Sequence, residues 1–432
     1  MLESLLNAFR APDIRRRLLF VAGVLIIYRA LAHVLIPGIN PNVLSSAGGD
    51  TSFFGLLSLF SGGDIRKMSI VGLGLNPYIN ATIIMQILQT TIPSLQQLSR
   101  EGEYGRNKIT SYSRWLSVPL SALQAYGILA YLQAIEGNPF TTPFKFESYE
   151  SWTQIIALTT GSILLMWLGE LITEKGIGNG ISFIIFAGIV SRIPGTVGGF
   201  LGNPDWLELS VFGMVGILIV FVIIFVQEGQ RRIPVQYANR VRGHRIYQGG
   251  STFLPLRVNM SGVIPIIFAI SILLFPIQIA TYFSASSVDW VRSVANGIIS
   301  WLNPRGPLYL SMYFLLTLGF GFFYTFIVFK PDETANNLRK SGGFIPGIRP
   351  GQPTEDYLRR VAFRITLAGA AFIAAVAVLP MVLASLPMFS NLSSVGVGLG
   401  GTSILIVVSV VVETMKQLEA QLMMRSYEGF IR

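Results

Sequence analysis

Chemistry inside this chain would have to come from very few side chains. His33 stands four residues after Arg29, one helical turn away, a pair able to relay a proton or to meet a neighbouring helix. Glu170 sits in MWLGELITEKGIGNG near the inner end of an apolar run, where a solvated helix end is the simpler reading. Glu413 and Lys416 lie three apart, the spacing of a local ion pair on one helix. Asn80, Gln86 and Gln89 are polar without charge and suit hydrogen bonds between helices. Intramembrane proteolysis would need a Ser–His pair or two Asp residues on facing helices, and the sequence offers neither arrangement. With 2 histidines and no cysteine, ligands for a zinc or haem centre are too few and disulfides are excluded. No nucleotide-binding loop is present. The expectation is a protein that is not an enzyme, holds no cofactor or metal, and takes its energy from outside.

The elements carrying these residues are membrane spans. Of 432 residues, 51% are hydrophobic and only 12% are charged. The mean hydropathy is +0.58. So few charges could not dress a soluble surface, which points to an all-α polytopic membrane protein. Apolar runs of spanning length fall near 18–36, 70–92, 115–133, 152–172, 177–193, 209–227, 261–283, 308–329, 363–386 and 402–415, about ten in all. Prolines such as Pro77, Pro119, Pro265 and Pro276 interrupt several, as spans tolerate when neighbours re-satisfy the backbone.

Lysine and arginine set the orientation. With the N-terminus inside, only Arg66, Lys67, Lys145, Arg192, Arg292 and Arg305 fall outside, and Arg29 lies within the first span; the rest of the 32 basic residues are cytoplasmic. Both termini are therefore expected in the cytoplasm. MLESLLNAFRAPDIRRR places its basic cluster before the first apolar run, with no signal-peptide cleavage pattern. Ten spans divide into halves of five, 1–193 and 194–432. An odd number per half makes the second enter the bilayer from the opposite side. If the halves are related they form an inverted repeat, as in pores and transporters that work at the repeat interface.

Three stretches exceed what topology requires. FFGLLSLFSGG at 53–63 has about eight apolar residues where a span needs ~20. It reads as a failed span, an interfacial helix, or a re-entrant piece entering a cavity. The loop 229–260 carries RRIPVQYANRVRGHRIYQ, whose alternation suggests a protruding hairpin. The loop 330–360 carries PDETANNLRKSG, a well-capped short helix, and then FIPGIRPGQP, an exposed tip around Arg349. Basic loops of this kind suit anionic lipid headgroups, RNA phosphates or an acidic protein surface.

Long ordered stretches resemble the SecY family of bacterial protein-conducting channel subunits. They include RRRLLFVAGVLIIYR at 15–29, FSGGDIRKMSIVGLGLNPYINATIIMQIL at 60–88, EGEYGRNKI at 101–109 and MWLGELITEKGIGNGISFIIFAGIV at 166–190. Further on come EGQRRIPVQYANR at 228–240, STFLPLRVNMSGVIPIIF at 251–268, FYTFIVFKPDETANNLRKSGGFIPGIRPG at 323–351 and GGTSILIV at 400–407. The resemblance implies two five-helix halves around an hourglass pore. That pore passes unfolded secretory polypeptides and releases transmembrane segments and signal sequences sideways through a lateral gate.

By the same resemblance, matching positions assign a pore ring to Leu75, Ile79, Ile181, Ile185, Ile267 (or Ile264) and Ile406. They assign a short plug helix to about 53–63, with Phe53, Phe54, Leu56, Leu57, Leu59 and Phe60. The gate lies between spans two and three and spans seven and eight, where Asn80, Gln86 and Asn259 supply uncharged polar groups. A docking surface for the ribosome and the SecA ATPase carries Arg231, Arg232, Arg240, Arg242, Arg245 and Arg349. Implied partners are the SecE and SecG subunits, SecA, the ribosome, signal peptides and nascent chains, and anionic lipids, at the bacterial inner membrane.

The physics of the residues agrees with this assignment. Leu75 and Ile79, like Ile181 and Ile185, are i,i+4 pairs on one helix face. A channel for polypeptides cannot select by chemistry, but a ring of aliphatics can close around a moving chain and resist ions by dewetting. A single isoleucine read alone would be ordinary packing. Two further readings stay open on the residues alone: a secondary transporter, against which the sparse intramembrane charge weighs, and a structural scaffold, which leaves the ordered basic loops unexplained.

Overall fold

The computed structural model describes residues 11–40, 68–133, 140, 144, 148–195, 206–237, 240–242, 245–247, 250–284, 288–303, 306–385 and 401–431. The stretch 53–63, with Phe53, Phe54, Leu56, Leu57, Leu59 and Phe60, lies outside the described residues.

A bilayer offers no hydrogen-bond partners, so an apolar run must satisfy its backbone internally, as a helix does. In chain order the helices are α1 (Pro12–Leu31), α2 (Asn76–Thr91), α3 (Pro93–Arg100), α4 (Glu103–Gln133), α5 (Tyr149–Lys175), α6 (Gly180–Val190) and α7 (Trp206–Glu228). Four strands follow: β1 (Gln230–Tyr237), β2 (Arg240–Arg242), β3 (Arg245–Tyr247) and β4 (Ser251–Arg257). Then come α8 (Ile264–Phe283), α9 (Asp289–Trp301), α10 (Pro307–Val328), α11 (Pro331–Lys340), β5 (Gly343–Phe344), α12 (Gln352–Ser385) and α13 (Gly401–Ile431).

All ten expected places hold a helix; α3, α9 and α11 are additional. Among the described residues, five apolar stretches are long enough to cross a membrane: α4, α5, α8, α10 with α11, and most of α12. Two of the other helices differ from a full apolar span: arginines punctuate α1, and α6 has only 11 residues, about 16 Å.

The second span departs from its expected start. The run from Ile70 becomes helical only at Asn76, because Gly74 takes a φ of 60° and Pro77 favours the first helical turn. Residues 68–75 are instead an irregular buried segment held by its neighbours. Ile36 and Ile70 donate their N–H groups to Met68 and Val34 at 2.9 Å, and the Ser162 hydroxyl donates to the Gly74 carbonyl at 2.9 Å. Irregular backbone at this depth is tolerable only where protein covers it.

Chain-adjacent helices pack in series: α2 on α4, α4 on α5 and α5 on α6, then α8 on α10, α10 on α12 and α12 on α13. Residues before and after 193 meet along two seams, where α8 packs on α2 and α4, and where α6 and α13 pack together. One large apolar cluster runs through both.

The two large loops form one body. β1 pairs antiparallel with β4 from Gln230↔Arg257 to Gln236↔Ser251, and β2 pairs with β3. The expected hairpin is thus present, in two paired tiers. The second loop joins it, because β5 adds to the other edge of β1 to give the order β4-β1-β5. Ile233 and Val235 of β1 face inward with Leu256, Ala335, Ile345 and Leu358 in a separate small core. The expected capped helix is α11, with Pro331 and the Asp332–Glu333 pair opening it and Arg339–Lys340 closing it. Gly342, at φ 74°, turns the chain into β5.

Gly161 on α5 lies against the irregular segment, where an added Cβ would sit 2.0 Å from the Ile70 carbonyl oxygen. Gly161→Ala should therefore lower stability by about 1–3 kcal/mol. Gly23→Ala, where a Cβ meets nothing within 4 Å, should be neutral or slightly stabilising. Thermal unfolding of the purified protein in detergent checks this, and equal melting of the two variants would refute the contact.

Candidate pore and cytosolic face

The GIGNG turn positions α6. Asn179 caps the helix by accepting from the Ile181 and Ser182 N–H groups at 3.0 and 3.2 Å. Gly180 allows close approach to α5, since a Cβ there would lie 1.9 Å from the Gly169 carbonyl oxygen. That approach seats Ile181 half-buried and Ile185 buried against the main apolar cluster. Leu75 arrives at the N-cap of α2 and Ile79 on its first turn, Ile267 on α8 and Ile406 on α13, all buried in the same cluster. The structure thus gathers all six candidate ring residues into one apolar body. Ile264 is half-buried at its edge.

Beside these residues lies a cavity of about 240 Å³ whose lining mixes polar side chains with apolar surface. Asn179 and Ser182 contribute from α6, Val263 and Ile264 from the start of α8, and Ser409, Val412, Glu413 and Lys416 from α13. Each set lies within about three turns of a ring candidate on its own helix: Ile181, Ile267 and Ile406 respectively. Arg257, the last residue of β4, also lines the cavity, so it opens at the end that carries the sheet. Ile264 therefore borders the cavity, and Ile267 sits one turn deeper.

The charged candidates are arranged differently from the expectation. Lys416 does not pair with Glu413; its ammonium meets Glu228 at 3.0 Å and so ties α13 to α7. Gln227 and Ser409 hydrogen-bond beside it. The reason is packing: α7 runs against α13 and brings an acid within reach, while Glu413 turns to the cavity. Glu170 is not a solvated helix end either. Its carboxylate accepts from Arg114 of α4 at 2.7 Å and from the Tyr78 hydroxyl of α2, joining three helices. Among the described residues His33 pairs locally, its Nδ1 lying 2.8 Å from the Arg29 carbonyl on an exposed helix end.

Uncharged polar side chains lie on the helices that meet where α8 packs on α2 and α4. On α2, Asn80 is buried, and the Gln86 Oε1 is buried without a hydrogen-bond partner among the described residues. Gln124 of α4 and Gln278 of α8 are also buried, at 1% and 3% exposure, with unpartnered amide atoms. Tyr282 of α8 lies flat on Gly127, where a Cβ would come within 2.2 Å of its ring, and donates to the Gln124 carbonyl at 3.3 Å. Gln124, Gln278, Tyr282 and Gly127 escaped the sequence reading. The signal was there, since an isolated glutamine amid apolar residues had already marked Gln86. Asn259 lies apart from this seam: it closes the turn before α8, accepting from the Gly262 N–H at 2.9 Å, and lines the cavity.

On the sheet, Arg231 and Arg232 are exposed. Arg240 and Arg242 fall on β2 and Arg245 on β3, with Arg242 paired to Arg245. Arg349 is exposed without an ion pair among the described residues, and its carbonyl accepts from the Thr354 hydroxyl at 2.8 Å, which fixes the tip.

A family model described as SecY matches residues 69–415. The protein translocase subunit SecY of Streptomyces scabiei is 40% identical over 448 residues, covering 100% of both chains. That of Mycobacterium tuberculosis (strain ATCC 25618 / H37Rv) is 40% identical over 445 residues, again covering 100% of both. Among solved structures, a protein-conducting channel superposes with a TM-score of 0.63 at 20% identity, covering 93% of this chain and 91% of the other. Sec61 in the canine ribosome–channel complex gives a TM-score of 0.59 at 19% identity over the same shares. Full-length identity to these subunits and the shared channel fold establish that the chain belongs to the SecY family of multi-pass membrane proteins.

Proposed function

We propose that this chain is the pore-forming subunit of a bacterial Sec translocase in the inner membrane, with both termini cytoplasmic. It passes unfolded polypeptides across the bilayer and lets apolar segments leave sideways into lipid. One observation carries the reading: a cavity at the sheet-bearing end, with Asn179, Ser182, Glu413 and Lys416 in its lining, meets an apolar cluster that contains Leu75, Ile79, Ile181, Ile185, Ile267 and Ile406. A wet vestibule ending on a flexible aliphatic constriction admits a chain of any sequence and resists ions. The pore is passive, and the work comes from a partner: the SecA ATPase or a ribosome. Relatives named as protein translocase subunits support the reading.

In this reading the two five-helix halves, 1–193 and 194–432, part at the seam of α8 against α2 and α4. Its amides, the buried Asn80, Gln124 and Gln278 and the half-buried Gln86, carry no charge, so opening strands none in lipid. The segment 53–63 closes the pore from outside by apolar contact; the plug of a SecY protein of the same fold is described as stabilising the closed channel. The body built from 229–260 and 330–360, with Arg231, Arg232, Arg240, Arg242, Arg245 and Arg349, receives the ribosome or SecA. SecE and SecG complete the complex, and anionic lipids meet the basic rim.

Photo-crosslinkers at 75, 79, 181 and 406 should capture a stalled translocating chain, whereas one at exposed Leu218 should not. Capture at 218 alone would overturn the pore assignment. Deleting 53–61 should leave the protein folded and raise the resting ion conductance of reconstituted channels; unchanged conductance removes the plug from the proposal. Arg349→Glu should abolish SecA-driven translocation without disturbing assembly, and normal translocation by that variant would take Arg349 out of the docking surface.

A further inference from the structure

Helix α9 joins the outer ends of α8 and α10, and its apolar surface is wider than its protein contacts use. Val291, Ala295, Ile299 and Leu302 follow one stripe at helical spacing; Ala295 is buried and the other three are half-buried. This stripe packs on α8. The neighbouring stripe is Trp290, Val294, Ile298 and Trp301, at steps of four, four and three, and it is exposed by 71%, 55%, 37% and 73%. Asp289, Arg292, Ser293, Asn296 and Ser300 occupy the remaining side, where Arg292 meets Asp289 at 2.6 Å.

We infer that α9 lies in the outer membrane–water interface, with Trp290, Val294, Ile298 and Trp301 inserted among lipid acyl chains. Three features choose lipid as the occupant. The exposed stripe continues surfaces of its neighbours that must face the bilayer: Phe283 at the end of α8, and Leu308, Met312 and Leu315 on α10. Tryptophans stand at both ends of the stripe, and tryptophan settles at the headgroup level, where an apolar ring and an N–H are both satisfied. The tethers are short. Residues 284–288 and 302–306 can span at most about 20 Å each, and a turn with Gly306 N–H donating to Asn303 at 2.8 Å shortens the second. The helix therefore cannot leave the rim of the spans it connects. An amphipathic helix held there buries its apolar face in the interface and keeps its polar face in water. Because α8 borders the seam with α2 and α4, this anchor fixes the outer ends of α8 and α10 at one common depth.

The chain contains no cysteine, so single spin labels can be placed without background. Full-length Val294→Cys, Ile298→Cys and Ser293→Cys variants are labelled in vesicles of phosphatidylethanolamine and phosphatidylglycerol. Labels at 294 and 298 should be several-fold more accessible to oxygen than to a water-soluble nickel reagent, with the order reversed at 293. Equal preference at all three sites would overturn the inference. So would shielding of 294 and 298 from both reagents, which would mean a protein partner or a second copy covers the stripe. If a labelled variant fails to insert, native tryptophan fluorescence gives an independent reading. Lipids brominated near the headgroup should quench the parent chain more than Trp290→Phe/Trp301→Phe, and equal quenching would refute lipid contact.

Discussion

The centre of this molecule is held by apolar side chains that interlock without being pinned, and most of its architecture follows from that. Isoleucines and leucines from α2, α6, α8 and α13 share one cluster, and no ion pair among the described residues runs through it. The charges that do cross between helices lie nearer one end: Arg114 with Glu170, and Lys416 with Glu228. Contacts of this apolar kind are non-directional and individually small, so helices can shift against each other without stranding a charge in hydrocarbon. A protein with buried ion pairs at the same depth would be harder to part, because separating one leaves two unpaired charges.

The seam of α8 on α2 and α4 applies the same logic with polar atoms. Among the described residues, both amide atoms of Gln124 and the Gln278 Nε2 are buried without a hydrogen-bond partner, which makes this packing less favourable than a fully satisfied one. Tyr282 against Gly127 works the other way, since a flat ring on a bare backbone gives close contact over a large area. Opposed tendencies at one contact suit an interface with more than one arrangement.

The ten spans were legible because bilayer thickness imposes a length, and each expected run is a helix. Boundaries were harder to read. The run from Ile70 gave no hint by hydropathy that residues 68–75 would stay irregular, although Gly74 and Pro77 carried that information. Long-range pairing was invisible. Lys416 has an acid three residues away, yet packing brings Glu228 closer, and no local rule could choose between them. β5 is two residues long, so nothing in GGFIPG distinguishes a strand from a turn until β1 stands beside it. The family resemblance supplied which isoleucines to consider together; their individual contexts are those of any packed core.

That two-residue strand ties together parts of the chain that sequence keeps far apart. Through β5 and the small core behind it, the loop after α7 and the loop after α10 share one rigid block, rooted at four places: α7, α8, α10 and α12. A load applied at Arg349 is therefore not carried by its own loop alone. It spreads as a torque over all four roots, one of which is the helix that borders the seam. The block behaves as a handle, stiff because its strands are paired and long because α12 extends for 34 residues. The bundle can thus be moved from outside the membrane without anything touching its interior.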